Sequence, residues 1–182
     1  ANIPPRPIVF SDAFFDARIH PDDPIGSVFR AGTAIAKYAE ARQAQQRMDS
    51  ALAYVDVADR VARQALERSA RFLGYRPVND PARADYVLDI RIDDYGLVAD
   101  SWEAAVAFEV DAEMVLVDRR SRRVIWKERV RAAEPVSNAT LGLGTTFGNV
   151  FTAVALSRLS VEEMVLALEA LSDFTADRLA GA

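Results

Sequence analysis

The chain has 182 residues and a mass of 20.0 kDa, the size of one globular domain. With 51% hydrophobic and 27% charged residues, 8 Gly and 8 Pro, its composition excludes a disordered or collagen-like chain. A net charge of -5 removes the broad positive field on which non-specific nucleic-acid binding relies, so nucleic acid is not an expected partner. Zero Cys and the single His20 exclude thiol nucleophiles, disulfides, Fe–S clusters, Cys or multi-His zinc sites and any His-dependent triad lacking His20. The 20 Arg against 2 Lys, with 32 Ala, read as the bias of a GC-rich genome before any phosphate-binding role.

The chain opens Ala1-Asn-Ile-Pro-Pro-Arg-Pro without Met, and a leader removed by processing is the expectation. Arg6 to Phe15 is short, β-branched and aromatic after a proline-rich lead, which predicts a first strand. His20-Pro-Asp-Asp-Pro-Ile-Gly predicts a loop. From Ser27 to Arg47, Val28, Ala31, Ile35, Tyr38 and Arg42 recur at helical spacing. A second helix capped by Asp49 or Ser50 is expected to carry the stripe Leu52, Val55, Ala62, Leu66, Ala70 and Leu73 and to stop at Gly74.

Asp85 to Asp93 alternates, with Tyr86, Leu88, Ile90 and Ile92 on one face and Asp85, Asp89, Arg91 and Asp93 on the other, the pattern of a half-buried strand. Glu103 to Asp118 and Val124 to Arg131 repeat it around Arg119-Arg-Ser-Arg-Arg123. A register that sets Glu113 opposite Lys127, Asp111 opposite Arg129, Glu109 opposite Arg131 and Met114 opposite Trp126 puts opposite charges on one face and apolar residues on the other. Continued to the preceding strand, it sets Arg91 opposite Glu109 and Ile90 opposite Val110, with Glu128 the misfit on the apolar side. Segment 138–158 is Gly/Thr-rich and then apolar, and no charged residue interrupts the chain from Val136 to Ser157. Ser160-Val-Glu-Glu163 is a capping box opening a last helix with Val161, Met164, Val165, Leu168, Leu171 and Thr175 on one face, ending near Gly181. The expected fold class is α+β, a single domain over 1–182, with a mainly antiparallel four-stranded sheet and helices packed on one face.

Chemistry-bearing motifs are sparse. Gly142-x-Gly144-x-x-x-Gly148 lacks the spacing of a dinucleotide loop or P-loop and no Lys follows, so no cofactor is expected. The acidic run Asp85, Asp89, Asp93, Asp94 and Asp100 is explained by alternation, and no metal site is expected. Asn138-Ala-Thr140 has the form of a glycosylation sequon. No catalytic set can be assembled. The candidate partner-binding residues are the cations Arg119, Arg120, Arg122 and Arg123, suited to an acidic partner, and the apolar Leu141, Leu143, Phe147 and Phe151.

Arg71-Phe-Leu-Gly-Tyr75, Ala84-Asp-Tyr-Val-Leu-Asp-Ile-Arg-Ile92 and Met114-Val-Leu-Val-Asp-Arg-Arg-Ser-Arg-Arg-Val-Ile-Trp126 follow one another along the chain. This succession resembles the ABC-type transport auxiliary lipoproteins of Gram-negative envelopes and, more loosely, the TolB N-terminal and curli-secretion lipoprotein domains. The likeness spans roughly residues 50 to 180 and lies in structural motifs. The long first helical region and the Gly/Thr-rich segment depart from it. The resemblance implies a non-enzymatic periplasmic accessory or scaffold lipoprotein, anchored in the outer membrane through an acylated Cys preceding Ala1. It further implies that the protein acts by protein–protein contact in a transport or assembly system. The alternative is a periplasmic small-molecule or lipid binder, which a deep apolar pocket between helices and sheet would favour.

Overall fold

The computed structural model of the chain describes residues 2–4, 7–9, 40, 43–44, 46–78, 80–100, 103–143 and 151–181. His20 and Phe147, together with most of the expected first strand and first helix, lie outside the described residues.

Three long strands form an antiparallel sheet: β2 (Tyr86–Val98), β3 (Ala107–Asp118) and β4 (Val124–Pro135), with β3 in the middle. Beside β2 the two-residue β1 (Ile8–Val9) runs parallel, Ile8 opposite Gly96 and Val9 opposite Leu97. Asn2 continues this contact by donating to the Ile90 carbonyl and accepting from the Ile92 N–H, and the Tyr95 hydroxyl donates to the Pro4 carbonyl at 2.8 Å. Burial, reinforced by the nearby Asp56 carboxylate, pushes the Tyr95 phenol upward, so the hydroxyl keeps its proton for that bond.

On β3 the alternation holds as expected. Phe108, Val110, Ala112 and Met114 are buried on one face, while Glu109 is exposed and Asp111 and Glu113 only partly covered on the other. The register is a correction. Glu113 lies opposite Arg129, Asp111 opposite Arg131 and Met114 opposite Glu128, two residues from the expected pairing. Arg91 faces Glu113 and Ile90 faces Met114, four residues from it. An even displacement returns every side chain to the same face, so polar alternation cannot separate these registers. Turn geometry decides between them. The Asp118 N–H donates to the Arg123 carbonyl, the Arg122 N–H to the Asp118 carbonyl, and Arg122 takes a positive φ of 56°. Register shifts between Ile92 and Asp94 and between Leu116 and Val117 take up the extra residues, which no sequence signal announced.

Diagonal contacts explain why the wrong register looked right. Across the diagonal Glu113 reaches Lys127 at 2.6 Å and Asp111 reaches Arg129 at 2.7 Å, while Arg131, directly opposite Asp111, lies at 3.2 Å. Hydrogen bonds from Lys127 and Arg129 respectively hold the Glu113 and Asp111 carboxyls below the usual carboxylate range.

The expected helix from Asp49 to Leu73 is broken. Helical residues run on to Leu52, and α1 (Val57–Leu73) starts afresh after Asp56, whose side chain accepts from the Asp59 N–H at 2.9 Å. The restart rotates the buried stripe to Val57, Val61, Ala65, Ser69 and Ala70, leaving Leu73 exposed. A short α2 (Ala153–Ser157) is tied to the sheet end by Val106 N–H to the Phe151 carbonyl at 2.8 Å. α3 (Val161–Ala180) opens with the expected box, Ser160 and Glu163 each bonding the other's backbone N–H. It buries Met164, Leu168, Leu171, Thr175 and Leu179, and Phe174 stacks on Phe108 of β3 with ring centroids 5.3 Å apart. α1 packs chiefly on α3, where Arg60 meets Glu169 at 2.9 Å and Arg68 meets Asp177 at 2.7 Å.

Phe108→Ala should lower stability by about 3–5 kcal/mol in urea unfolding, because it empties a fully buried ring site beneath α3. A change under about 1 kcal/mol would mean that α3 is not seated there. The depressed Asp111 and Glu113 carboxyls sit below their unfolded value of about 4, so they stabilise the fold above that pH and lose the effect as pH falls through their folded values. Asp111→Asn with Glu113→Gln should therefore narrow the stability gap between neutral and acid pH; an unchanged gap contradicts the coupling.

Candidate interaction surface

One end of the molecule collects features that sequence periodicity assigned to separate elements. Gly74 ends α1 at a positive φ of 69°, its N–H bonding the Arg71 carbonyl, while the Tyr75 N–H bonds the Ala70 carbonyl at 2.7 Å. This left-handed stop turns the chain back, and only a residue without Cβ takes it freely. It delivers Tyr75 onto Tyr86 at the start of β2, stacked with centroids 5.6 Å apart and planes 10° apart. Tyr86 lies opposite Asp118 and Val87 opposite Val117, and Val117 in turn faces Val124, so the helix end, the start of β2 and the β3–β4 turn share one pole.

The turn is built tightly. The Asp118 carboxylate accepts from the Ser121 N–H at 2.7 Å and its hydroxyl at 2.9 Å, bonds that hold the carboxyl below its usual range. Arg119 fastens the turn to the chain before β2: its N–H donates to the Asp85 carbonyl at 3.0 Å and its Nε to the Ala84 carbonyl at 2.7 Å. Of the four expected cations, Arg119 therefore positions the turn. Arg120, Arg122 and Arg123 are exposed and form no side-chain ion pair among the described residues.

Around them apolar side chains stand in solvent. Phe72 is 77% exposed, Val124 58%, Ile125 55% and Tyr75 49%, with Leu73, Val78, Tyr86 and Val87 also exposed. Single exposed apolar residues are ordinary, whereas several gathered at one end of a fold point to a candidate contact surface. The charge is concentrated too. Arg71, Arg76, Arg83, Arg119, Arg120, Arg122 and Arg123 against Asp80, Asp85 and Asp118 leave the pole at +4, and a total of -5 then leaves the rest of the chain at -9.

The apolar candidates are placed differently. Leu141 and Phe151 are buried in the core and Leu143 is half-buried against it. They brace the sheet end. Two surface grooves of about 470 and 500 Å³ are present, one on the outer face of the sheet along Gly96, Glu109 and Arg131, the other between α3 and β4. The second is crossed by the Arg178–Glu134 ion pair, with Arg178 also over the Phe174 ring. Both open to solvent and carry charged walls, unlike a deep apolar pocket. Among the described residues no helix is long and apolar enough to cross a membrane, and no group of three or more His, Asp or Glu is arranged to hold a metal ion.

The exposed aromatics were the missed part of this surface. Leu73 and Tyr86 fit their inward stripes by spacing, and only the restart of α1 after Asp56 and the end of helix cover at Gly74 put them outside. No family model, curated protein or solved structure matches the chain.

Gly74→Ala should destabilise the protein by about 1 kcal/mol, since open space surrounds the position and the cost is the positive φ alone. Near-ultraviolet circular dichroism should report the loosened Tyr75–Tyr86 stack. An unchanged midpoint and spectrum would show that the turn does not need glycine.

Proposed function

We propose that the protein is a non-enzymatic accessory or scaffold component of a Gram-negative envelope transport or assembly system, working by docking rather than turnover. In this reading it is a periplasmic lipoprotein, held at the outer membrane by an acylated Cys upstream of Ala1, and a protein partner uses the rigid domain as its platform. In that platform the short β1 (Ile8–Val9) completes a four-stranded sheet.

The observation that carries the docking reading is the pole: exposed Arg120, Arg122 and Arg123, which form no side-chain ion pair among the described residues, share one end of the fold with solvent-exposed Val124, Ile125, Phe72 and Tyr75. Arg and aromatic side chains supply most of the binding energy at contact surfaces, and here a stacked tyrosine pair and a hydrogen-bonded turn already fix their backbone. The competing reading as a small-molecule or lipid binder draws on two grooves that are open to solvent and carry charged walls.

The test is site-specific photocrosslinking in cells expressing the gene with its own N-terminus. A photoreactive residue at Ile125 or Phe72 should give discrete adducts, and one at Arg129 in the middle of the sheet's charged face should give far fewer. Equal labelling at all three positions, or none, contradicts docking of a protein partner through the pole. Membrane fractionation and intact mass of the same material test the tether: an acylated Cys supports it, and a soluble unmodified protein removes it.

A further inference from the structure

Resting on the reading of the pole as a docking surface, we propose that what the pole meets is an anionic phospholipid bilayer. Two separate elements present the same arrangement there. At the end of α1, Phe72 and Tyr75 are flanked by Arg71 and Arg76; at the β3–β4 turn, Val124 and Ile125 follow Arg122 and Arg123. In both, an apolar side chain in water sits within a residue or two of a guanidinium. That spacing suits a headgroup layer, where apolar tips enter the acyl boundary and guanidinium forks stay at phosphate level. Tyrosine, apolar in its ring and polar at its hydroxyl, belongs at the same depth.

Charge complementarity points the same way. A pole of +4 on a chain of -5 sets this end apart in sign, and an anionic surface attracts it while repelling the net negative charge of the other described residues. The field therefore orients the molecule with the hairpin end toward the bilayer. A bilayer needs no matching pocket, and a surface split between a helix end and a hairpin turn meets a flat fluid layer without one. The Arg119 anchor to Ala84 and Asp85 and the Asp118–Ser121 bonds keep the turn projecting, so little order has to be gained on contact.

Sedimentation with vesicles tests this on the whole chain. The protein should bind phosphatidylcholine vesicles containing phosphatidylglycerol, not bind pure phosphatidylcholine, and release as salt is raised. Arg120→Glu with Arg123→Glu should weaken binding at least about tenfold, since each cation near an anionic surface contributes about 1 kcal/mol. Ile125→Ser should weaken it as well while leaving the unfolding midpoint in place, because Ile125 is exposed. No binding to phosphatidylglycerol vesicles, or binding indifferent to the Arg substitutions, overturns the proposal. If vesicles fail while Ile125 still crosslinks to a polypeptide in cells, the pole docks on protein and only the bilayer assignment falls. If both fail, the docking reading falls with it.

Discussion

The structure depends on α3 lying between two partners. Its Phe174 stacks on Phe108 of the central strand, and its acidic residues Glu169, Asp173 and Asp177 meet Arg60 and Arg68 of α1. Each ion pair is partly exposed and individually weak, so apolar burial supplies most of the adhesion and the pairs fix the alignment of the two helices. That alignment determines where α1 ends. Because α1 stops at Gly74 beside the sheet's hairpin end, Tyr75 can stack on Tyr86, which pairs with Asp118 at the start of the arginine turn.

The two faces of the sheet use charge in different ways. On the outer face Asp93, Asp111 and Glu113 neutralise Arg91, Lys127, Arg129 and Arg131 within a connected lattice, leaving little net charge there for a partner. At the turn, Asp118 is engaged by Ser121, and Arg120, Arg122 and Arg123 form no side-chain ion pair among the described residues. The same residue type is therefore internal structure at Arg129 and Arg119 and free surface at Arg122. The groups each guanidinium meets, rather than residue identity, separate the two.

Much of the architecture was legible in the letters, for local reasons. Strand faces follow from a period of two, the start of α3 from Ser160 and Glu163, and the end of α1 from Gly74, and each of these depends on residues close in sequence. Register was not legible, because displacements of two or four residues preserve both the apolar face and the charge alternation, and the deciding geometry at Arg122 and Asp93 has no distinctive composition. The break at Asp56 was hidden by a continuous helical pattern that Leu52, Val55 and Leu66 satisfied on both sides. Of the candidate surface, the arginine turn could be read directly from Arg119 to Arg123. Its apolar half could not, since Phe72 and Tyr75 come from a distant element and their exposure depends on what the tertiary fold leaves uncovered.

Hydrogen–deuterium exchange of the full-length protein, alone and mixed with the outer-membrane fraction of its own cells, addresses the central claim most directly, because it maps contact without choosing positions beforehand. The account predicts protection confined to the end of α1 through Tyr75, the start of β2 and the turn from Asp118 to Ile125. Protection centred instead on the outer sheet face or the α3 groove, or no protection at any segment, would contradict it.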